Sequence, residues 1–219
     1  MVACHHNGRQ SDMQCFTFRF SRGFSILGFN DFPSDALASL REEDARLTRE
    51  AIGEATPGEV RAYHTVLGSM IHDIGNLHGL FGPPTRIVSS EIWSEGRAIS
   101  AILEYLNDIR CVASWVDLPD LWDFKETLEV YGSRERVILS FPTGFSIGLP
   151  TEVVVQGSEA GGTPWKEQVA VSHESPFLRE LVHFHGCIAN GRQPETSGED
   201  AVADIALVRD LIQSARTPK

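Results

Sequence analysis

The stretch Leu67 to Gly82, LGSMIHDIGNLHGLFG, constrains this chain more than any other. Read at helical period, Leu67, Ile71, Ile74 and Phe81 fall on one apolar stripe. A second stripe carries Gly68, His72, Gly75, Gly79 and Gly82, so an imidazole is the only large side chain on that face. Each interior glycine costs about 1 kcal/mol of helix stability relative to alanine, and several in register therefore require a use. Two uses stand open. Either another backbone packs tightly there around a buried histidine, or a ligand lies against the helix with His72 pointing at it.

A chain of 219 residues can bury a sizeable core as one large domain, or as one domain with an extension. The formal charge of −11 argues against a nucleic-acid partner, because phosphate binding draws on a basic surface. No apolar run approaches the roughly 18 residues needed to span a bilayer, and the opening MVACHHNGRQSDMQ lacks the apolar core of a signal peptide, so the expected location is the cytoplasm, with no membrane partner. Cys4, Cys15, Cys111 and Cys187 are scattered without CxxC spacing, which fits unpaired thiols in a reducing compartment.

Along the chain, residues 1–58 read as an N-terminal hairpin and helix that extend the same domain, and residues 59–219 as the α+β domain proper. Met1 to Asp12 is polar and expected to fray. Phe16, Phe18 and Phe20 alternate with polar partners in a hairpin over Gln14 to Asn30. A helix over Ser34 to Ile52 turns Leu37, Leu40 and Leu47 to the core, and Glu59 to Thr65 reads as a strand. After Pro83 and Pro84, strands are expected at Arg86 to Trp93, Ala98 to Leu106, Arg110 to Val116, Lys125 to Tyr131, Arg136 to Phe141 and Glu152 to Gln156. Their order suggests an open, mostly antiparallel sheet with one face on the core. Gly157 to Gln168 reads as a loop. Ser175 and Pro176 start a helix whose stripe of Phe177, Leu181, Phe184 and Ile188 is expected to be buried, and Asn190-Gly191 ends it. Ser197 starts another, with Ala201, Ile205, Val208 and Ile212 on one face.

Several constellations fail on context. Gly144 to Gly148 matches G-x-S-x-G around Ser146, but a nucleophile elbow needs a helix straight after the serine, and Leu149-Pro150 and a strand follow. His183 and Cys187 stand four apart and could share a metal, yet two ligands without a third are a weak site, and no metal is expected. The tryptophans Trp93, Trp115, Trp122 and Trp165 lie in and around the sheet region, where exposed ones could stack on a sugar or meet another subunit.

The segment Phe177-Leu-Arg-Glu-Leu-Val-His-Phe-His-Gly-Cys-Ile-Ala-Asn-Gly-Arg-Gln-Pro, with Thr196-Ser-Gly-Glu-Asp-Ala201 after it, resembles the C-terminal end of the Gfo/Idh/MocA oxidoreductases, the family of glucose-fructose oxidoreductase and inositol dehydrogenase. His72 stands where those enzymes place the histidine of their substrate site, with Gly82 at the family's spacing before Pro83 and Pro84, and Glu129-Val-Tyr-Gly132 is similar to a strand and turn of their sheet. The resemblance covers Arg61 to Ala215 and implies the fold of the family's second domain, an α+β open sheet with helices packed on one face.

The departures are as specific. No G-x-G-x-x-G follows a strand, so no dinucleotide-binding motif lies in this chain, and the family's Glu-Lys-Pro is missing. The family's aspartate one turn before the histidine is Gly68 here, and its acidic residue three positions after is Gly75. The resemblance thus implies a protein acting on a sugar, cyclitol or similar polyhydroxylated small molecule, with NAD(P) only where a separate Rossmann domain or partner chain supplies it. His72 is its catalytic residue, and Gly68, Asp73, Gly75, Asn76, Trp93 and Trp122 bind substrate. A cofactor-independent isomerase, lyase or cyclase using His72 as acid or base, and a non-catalytic dimeric binding protein, are the alternatives. In the family the exposed sheet face joins subunits, and a homodimer through that face is expected here from Trp93, Tyr105 and Trp115.

Overall fold

The strand periodicities assemble into one sheet of eight strands. A computed structural model describes residues 2–7, 34–117, 124–143 and 148–216, with side chains from residue 38 onward. The strands are β1 (Val2–Asn7), β2 (Arg86–Trp93), β3 (Ala98–Glu104), β4 (Arg110–Val116), β5 (Lys125–Tyr131), β6 (Glu135–Phe141), β7 (Glu152–Ser158) and β8 (Pro164–Val169). They lie in the order β2-β3-β4-β1-β5-β6-β7-β8, with β1 parallel to β4 and every other neighbouring pair antiparallel. The helices are α1 (Ser34–Ile52), α2 (Pro57–Thr65), α3 (Ile71–Phe81), α4 (Pro176–Asn190) and α5 (Gly198–Ala215). No described helix is long and apolar enough to cross a membrane.

The core forms between one sheet face and the helices. Ile99, Ala101, Leu103, Cys111, Ala113, Trp115 and Leu128 cluster with Ile52, Ala62, Tyr63, Val66, Met70, Ile74, Leu77, Val208, Leu211 and Ile212. Burying the larger of these apolar side chains stabilises the fold by about 1.5–3 kcal/mol each. Polar ties lock the layer: Arg216 donates from Nε to Glu59 Oε1 at 2.7 Å and from Nη1 to the Ile52 carbonyl at 2.7 Å, joining α5 to α2 and α1.

Three elements differ from the expectations. Residues Glu59 to Thr65 are helix, because Thr56 and Glu59 form a reciprocal capping box with Pro57 in the first turn, a start signal that outweighs the apolar composition. Residues Val2–Asn7 are not frayed but form β1, whose place is set by pairing with β4 and β5, partners that terminal composition does not reveal. The stretch Gly157 to Gln168 is not a single loop. Gly162, at φ 82°, turns the chain back into β8, and the Trp165 indole lies against Gly157, where an added Cβ would stand 2.5 Å from it. The hairpin expected over Gln14 to Asn30 and the side chain of Leu37 lie outside the described residues.

Burial redirects several side chains. Leu40 and Leu47 of α1 are exposed while Thr48 and Ile52 of the same helix are buried, so the inward face is rotated from the expected one. Tyr105 and Trp115, expected at an exposed sheet face, are 3 % and 1 % exposed in the core. In α5 the stripe is Asp204, Val208, Leu211 and Ile212, with Ala201 and Ile205 exposed. The α4 stripe is exposed along its whole length: Phe177, Leu181, Phe184 and Ile188 are 58 %, 66 %, 54 % and 67 % accessible, because no other described element packs closely over that face.

Candidate functional site

The helix carrying His72 is continuous with α2 through a π-turn at Val66–Met70, in which the Ile71 N–H donates to the Val66 carbonyl five residues back. The extra residue shifts the stripe. Before the turn Ala62 and Tyr63 face inward, within it Val66, Ser69 and Met70 do, and after it Asp73, Ile74 and Leu77. Leu67 and Ile71, expected on the buried stripe, are only half-buried. A π-turn is seldom kept without a use, since its hydrogen bonding is poorer than that of the α-helix around it.

His72, Gly68, Asn76 and Gly79 are exposed together on the outer face of this helix, and Gly75 is half-buried at its margin. A Cβ added at Gly68 or Gly79 would meet no atom within 4 Å, and one at Gly75 would meet only Asp204 Oδ2 at 4.0 Å. Among the described residues the glycine face is therefore not a seat for another backbone of this chain. It is an open surface with one imidazole on it.

Beneath that surface lies an acidic pair that sequence reading missed in part. Asp73 is 3 % exposed, and Glu126 of β5 is half-buried on the sheet side that carries Leu128 into the core. Burial, and then the nearby Asp73 charge, push the Glu126 carboxyl up to about 8, so it carries a proton at neutral pH. The signal in the sequence was the position of Glu126 at an apolar phase of an alternating strand. A second pairing joins α3 to α5: His78 Nδ1 and Asp204 Oδ1 are 2.8 Å apart, and His78 Nε2 is 4.0 Å from Asp200 Oδ1. No local pattern could have disclosed it, because the partners are 126 residues apart.

The remaining expected residues do not gather at this face. Trp93 is 41 % exposed at the end of β2, beside the Ser94–Gly96 turn. Gly96, at φ 81°, lies so close to Gly58 of α2 that an added Cβ would stand 2.0 Å from the Gly58 carbonyl oxygen, which fixes this turn against the helix. Trp122 and Ser146 lie outside the described residues. His183 Nε2 accepts the Glu195 N–H at 3.1 Å and stands 3.5 Å from Cys187 Sγ, whose thiol donates to the Gln193 carbonyl at 3.6 Å, so the pair fastens the chain that follows α4. No group of three or more His, Cys, Asp or Glu side chains able to hold a metal occurs among the described residues. A groove of about 560 Å³ opens at the β5–β6 turn and the β7–β8 end, lined by Tyr131, Arg134, Arg136, Gln156, Trp165 and Lys166 among others; of the expected candidates it contains only Trp165, one of the tryptophans able to stack on a sugar. The groove holds no histidine, and the helix face with its exposed imidazole remains the stronger candidate.

No family model matches the chain, and no curated protein does. Solved structures do match in fold. A putative NADPH-dependent oxidoreductase from Desulfitobacterium hafniense is 13 % identical at a TM-score of 0.62, over 98 % of this chain and 53 % of that one. UDP-N-acetylglucosamine 3-dehydrogenase GnnA from Acidithiobacillus ferrooxidans is 11 % identical at 0.57, over 98 % and 52 %. The dehydrogenase MviM from Clostridium difficile is 14 % identical at 0.56, over 97 % and 54 %. The chain spans about half the length of these structures. In fold, then, this chain is similar to Gfo/Idh/MocA-type oxidoreductases and has the α+β architecture of their C-terminal domain.

Proposed function

We propose that this chain is the substrate-handling part of an oxidoreductase of that type, acting on a sugar, cyclitol or similar polyhydroxylated small molecule, with His72 as its proton-exchanging residue. The observation that carries the reading is the open glycine face of α3 with the exposed His72 imidazole on it. An imidazole titrates near neutrality and can take a proton from, or return it to, a substrate hydroxyl. The glycines at 68 and 79 let a ring approach the backbone, and Asn76 adds a donor and an acceptor on the same face. The fold's likeness to a UDP-N-acetylglucosamine dehydrogenase supports this substrate class.

This reading places no nicotinamide site among the described residues: the sequence carries no G-x-G-x-x-G after a strand, and no hydride step is assigned to the chain's own side chains. In this reading a separate Rossmann domain supplies that chemistry. A second reading is a cofactor-independent isomerase, lyase or cyclase that uses His72 as acid or base; Asp73 and Glu126 lie on the inward side of α3 and add no acid to the His72 face.

The test is paired. His72→Asn should keep the melting temperature within about 1 °C, as expected of an exposed position, and abolish binding in a titration against a panel of polyols and nucleotide sugars followed by NMR. Gly79→Leu should fold as well and block the same ligands by bulk. Variants that bind like the wild type would refute the pocket, and tight NAD(P) binding by the chain alone would refute the separate-domain reading.

A further inference from the structure

The groove at the β5–β6 turn and the β7–β8 end joins charge and shape in a way that the His72 face does not use. Three cations, Arg134, Arg136 and Lys166, line its volume of about 560 Å³, against a single carboxylate, Glu135. In a chain of 19 basic and 30 acidic residues, this concentration of positive charge runs against the composition. The strand registers build it. Tyr131 pairs with Arg136, Arg136 with Gln156 and Gln156 with Lys166, so one straight row crosses four strands on one sheet face. Gln156 keeps the two charges of the row apart by two strand spacings, about 10 Å.

Part of the groove is set before a ligand arrives. Arg136 Nε donates to Gln156 Oε1 at 2.6 Å, and its guanidinium meets the Tyr131 hydroxyl, which donates to Glu129. Two partners hold the guanidinium in place, so less rotamer freedom is lost when an anion meets it. The Gln156 oxygen is thereby engaged, which leaves its amide N–H groups as donors. Arg134 and Lys166 line the groove with no ion pair to a carboxylate among the described residues. The half-buried Trp165 indole is fixed as well: its Cζ2 would stand 2.5 Å from a Cβ at Gly157, so only a glycine lets the ring lie against that strand. Cationic donors flanked by flat rings, Tyr131 on β5 and Trp165 on β8, are the complement of a phosphate carried on a ring. The volume is that of a small-molecule site, and the acidic remainder of the chain repels a long polyanion such as nucleic acid.

We propose that this groove binds a phosphate ester of a ring-bearing small molecule, a cyclitol or sugar phosphate or a nucleotide, at a site separate from His72. Strand β5 runs from Glu126, beside Asp73, to Tyr131 at the groove, about 17 Å of strand, so a ligand of one ring and one phosphate held there does not reach α3. The experiment is an NMR titration of the full chain at low salt with inositol monophosphate, UMP, inorganic phosphate, inositol and uridine, read at the Trp165 indole N–H and the Gly132 amide. The expected result is that at least one of the two esters shifts these signals with a Kd about tenfold or more below that for inorganic phosphate, while inositol and uridine leave them in place; the tighter ester names the source of the phosphate. Arg134→Glu and Lys166→Glu should each weaken that binding about tenfold or more with an unchanged circular dichroism spectrum, as should added salt, whereas Arg41→Glu on the exposed side of α1 should not. No shift with either ester, inorganic phosphate binding as tightly as the esters, or charge-reversed variants that bind like the wild type would each overturn the proposal. The two sites are read apart: uncharged polyols pass over the groove, and the groove signals should respond to the esters equally in His72→Asn, so either reading can fail without the other.

Discussion

The two closing helices have the same design in sequence and opposite fates in the fold. Each follows a serine at its start and repeats apolar residues at helical spacing. In α5 the serine is part of a capping box with Asp200, and Val208, Leu211 and Ile212 vanish under the sheet layer. In α4 the Ser175 side chain makes no capping hydrogen bond, and the stripe stays outside. The difference teaches that amphipathic spacing states that a helix has a partner, not which one. A helix of this length is marginal by itself, so what holds it is the surface it finds. For α5 that surface is the sheet, α3 and the His78–Asp204 contact.

The comparison breaks first at Leu211. Truncating this 2 % exposed side chain to alanine should cost about 2–5 kcal/mol, read as a shift in the urea midpoint. A loss as small as that of a surface change would mean that α5 is no better anchored than α4.

The next effect lies in the layer to which α5 contributes. Glu126 has a folded-state value raised above its unfolded one, near 4.5, to about 8. Its neutral form is the one the fold holds, so the stabilisation is fully present below about pH 4.5 and is lost as the pH rises toward 8. Between pH 5 and 8.5 the wild type should therefore lose on the order of 2 kcal/mol relative to Glu126→Gln, whose side chain stays neutral throughout. His64 works the other way: burial depresses it despite the opposing Asp44 charge, so its share of stability is lost as the pH falls below its ordinary value. Measuring wild type and variant side by side separates the two. Parallel curves would mean that Glu126 ionises freely.

The smallest effect is Leu181→Ala in α4, expected to change the stability of the single chain by less than about 0.5 kcal/mol. A loss of several kcal/mol at a dilution where the chain is monomeric would put α4 in the core after all.

Much of the sheet was legible because strand alternation is local. Arg86 to Trp93, Arg110 to Val116 and Lys125 to Tyr131 match β2, β4 and β5 at both ends. Gly191, at φ 60°, ends α4 where Asn190-Gly191 announced it. What escaped depends on distant residues or on one inserted residue. The π-turn at Val66–Met70 shifts the helical phase by a step that periodicity cannot register. At the candidate site, the face of Gly68, His72 and Asn76 could be read from spacing, whereas the pairing of Asp73 with Glu126 and of His78 with Asp204 requires the sheet and α5 to be in place.

One feature of the sheet governs the order in which the chain can assemble. Strand β1 joins two antiparallel meanders, β2-β3-β4 and β5-β6-β7-β8, whose described strands pair with each other only through it. Both of its neighbours lie far along the chain, starting at Arg110 and Lys125, so closing the sheet requires contacts of long sequence separation and comes late in folding. Each meander can form from local hairpins first, presenting β4 and β5 as two raw edges. Val2–Asn7 is then the seam: supplied in trans as a peptide, it would be taken up between the meanders of a chain that lacks it.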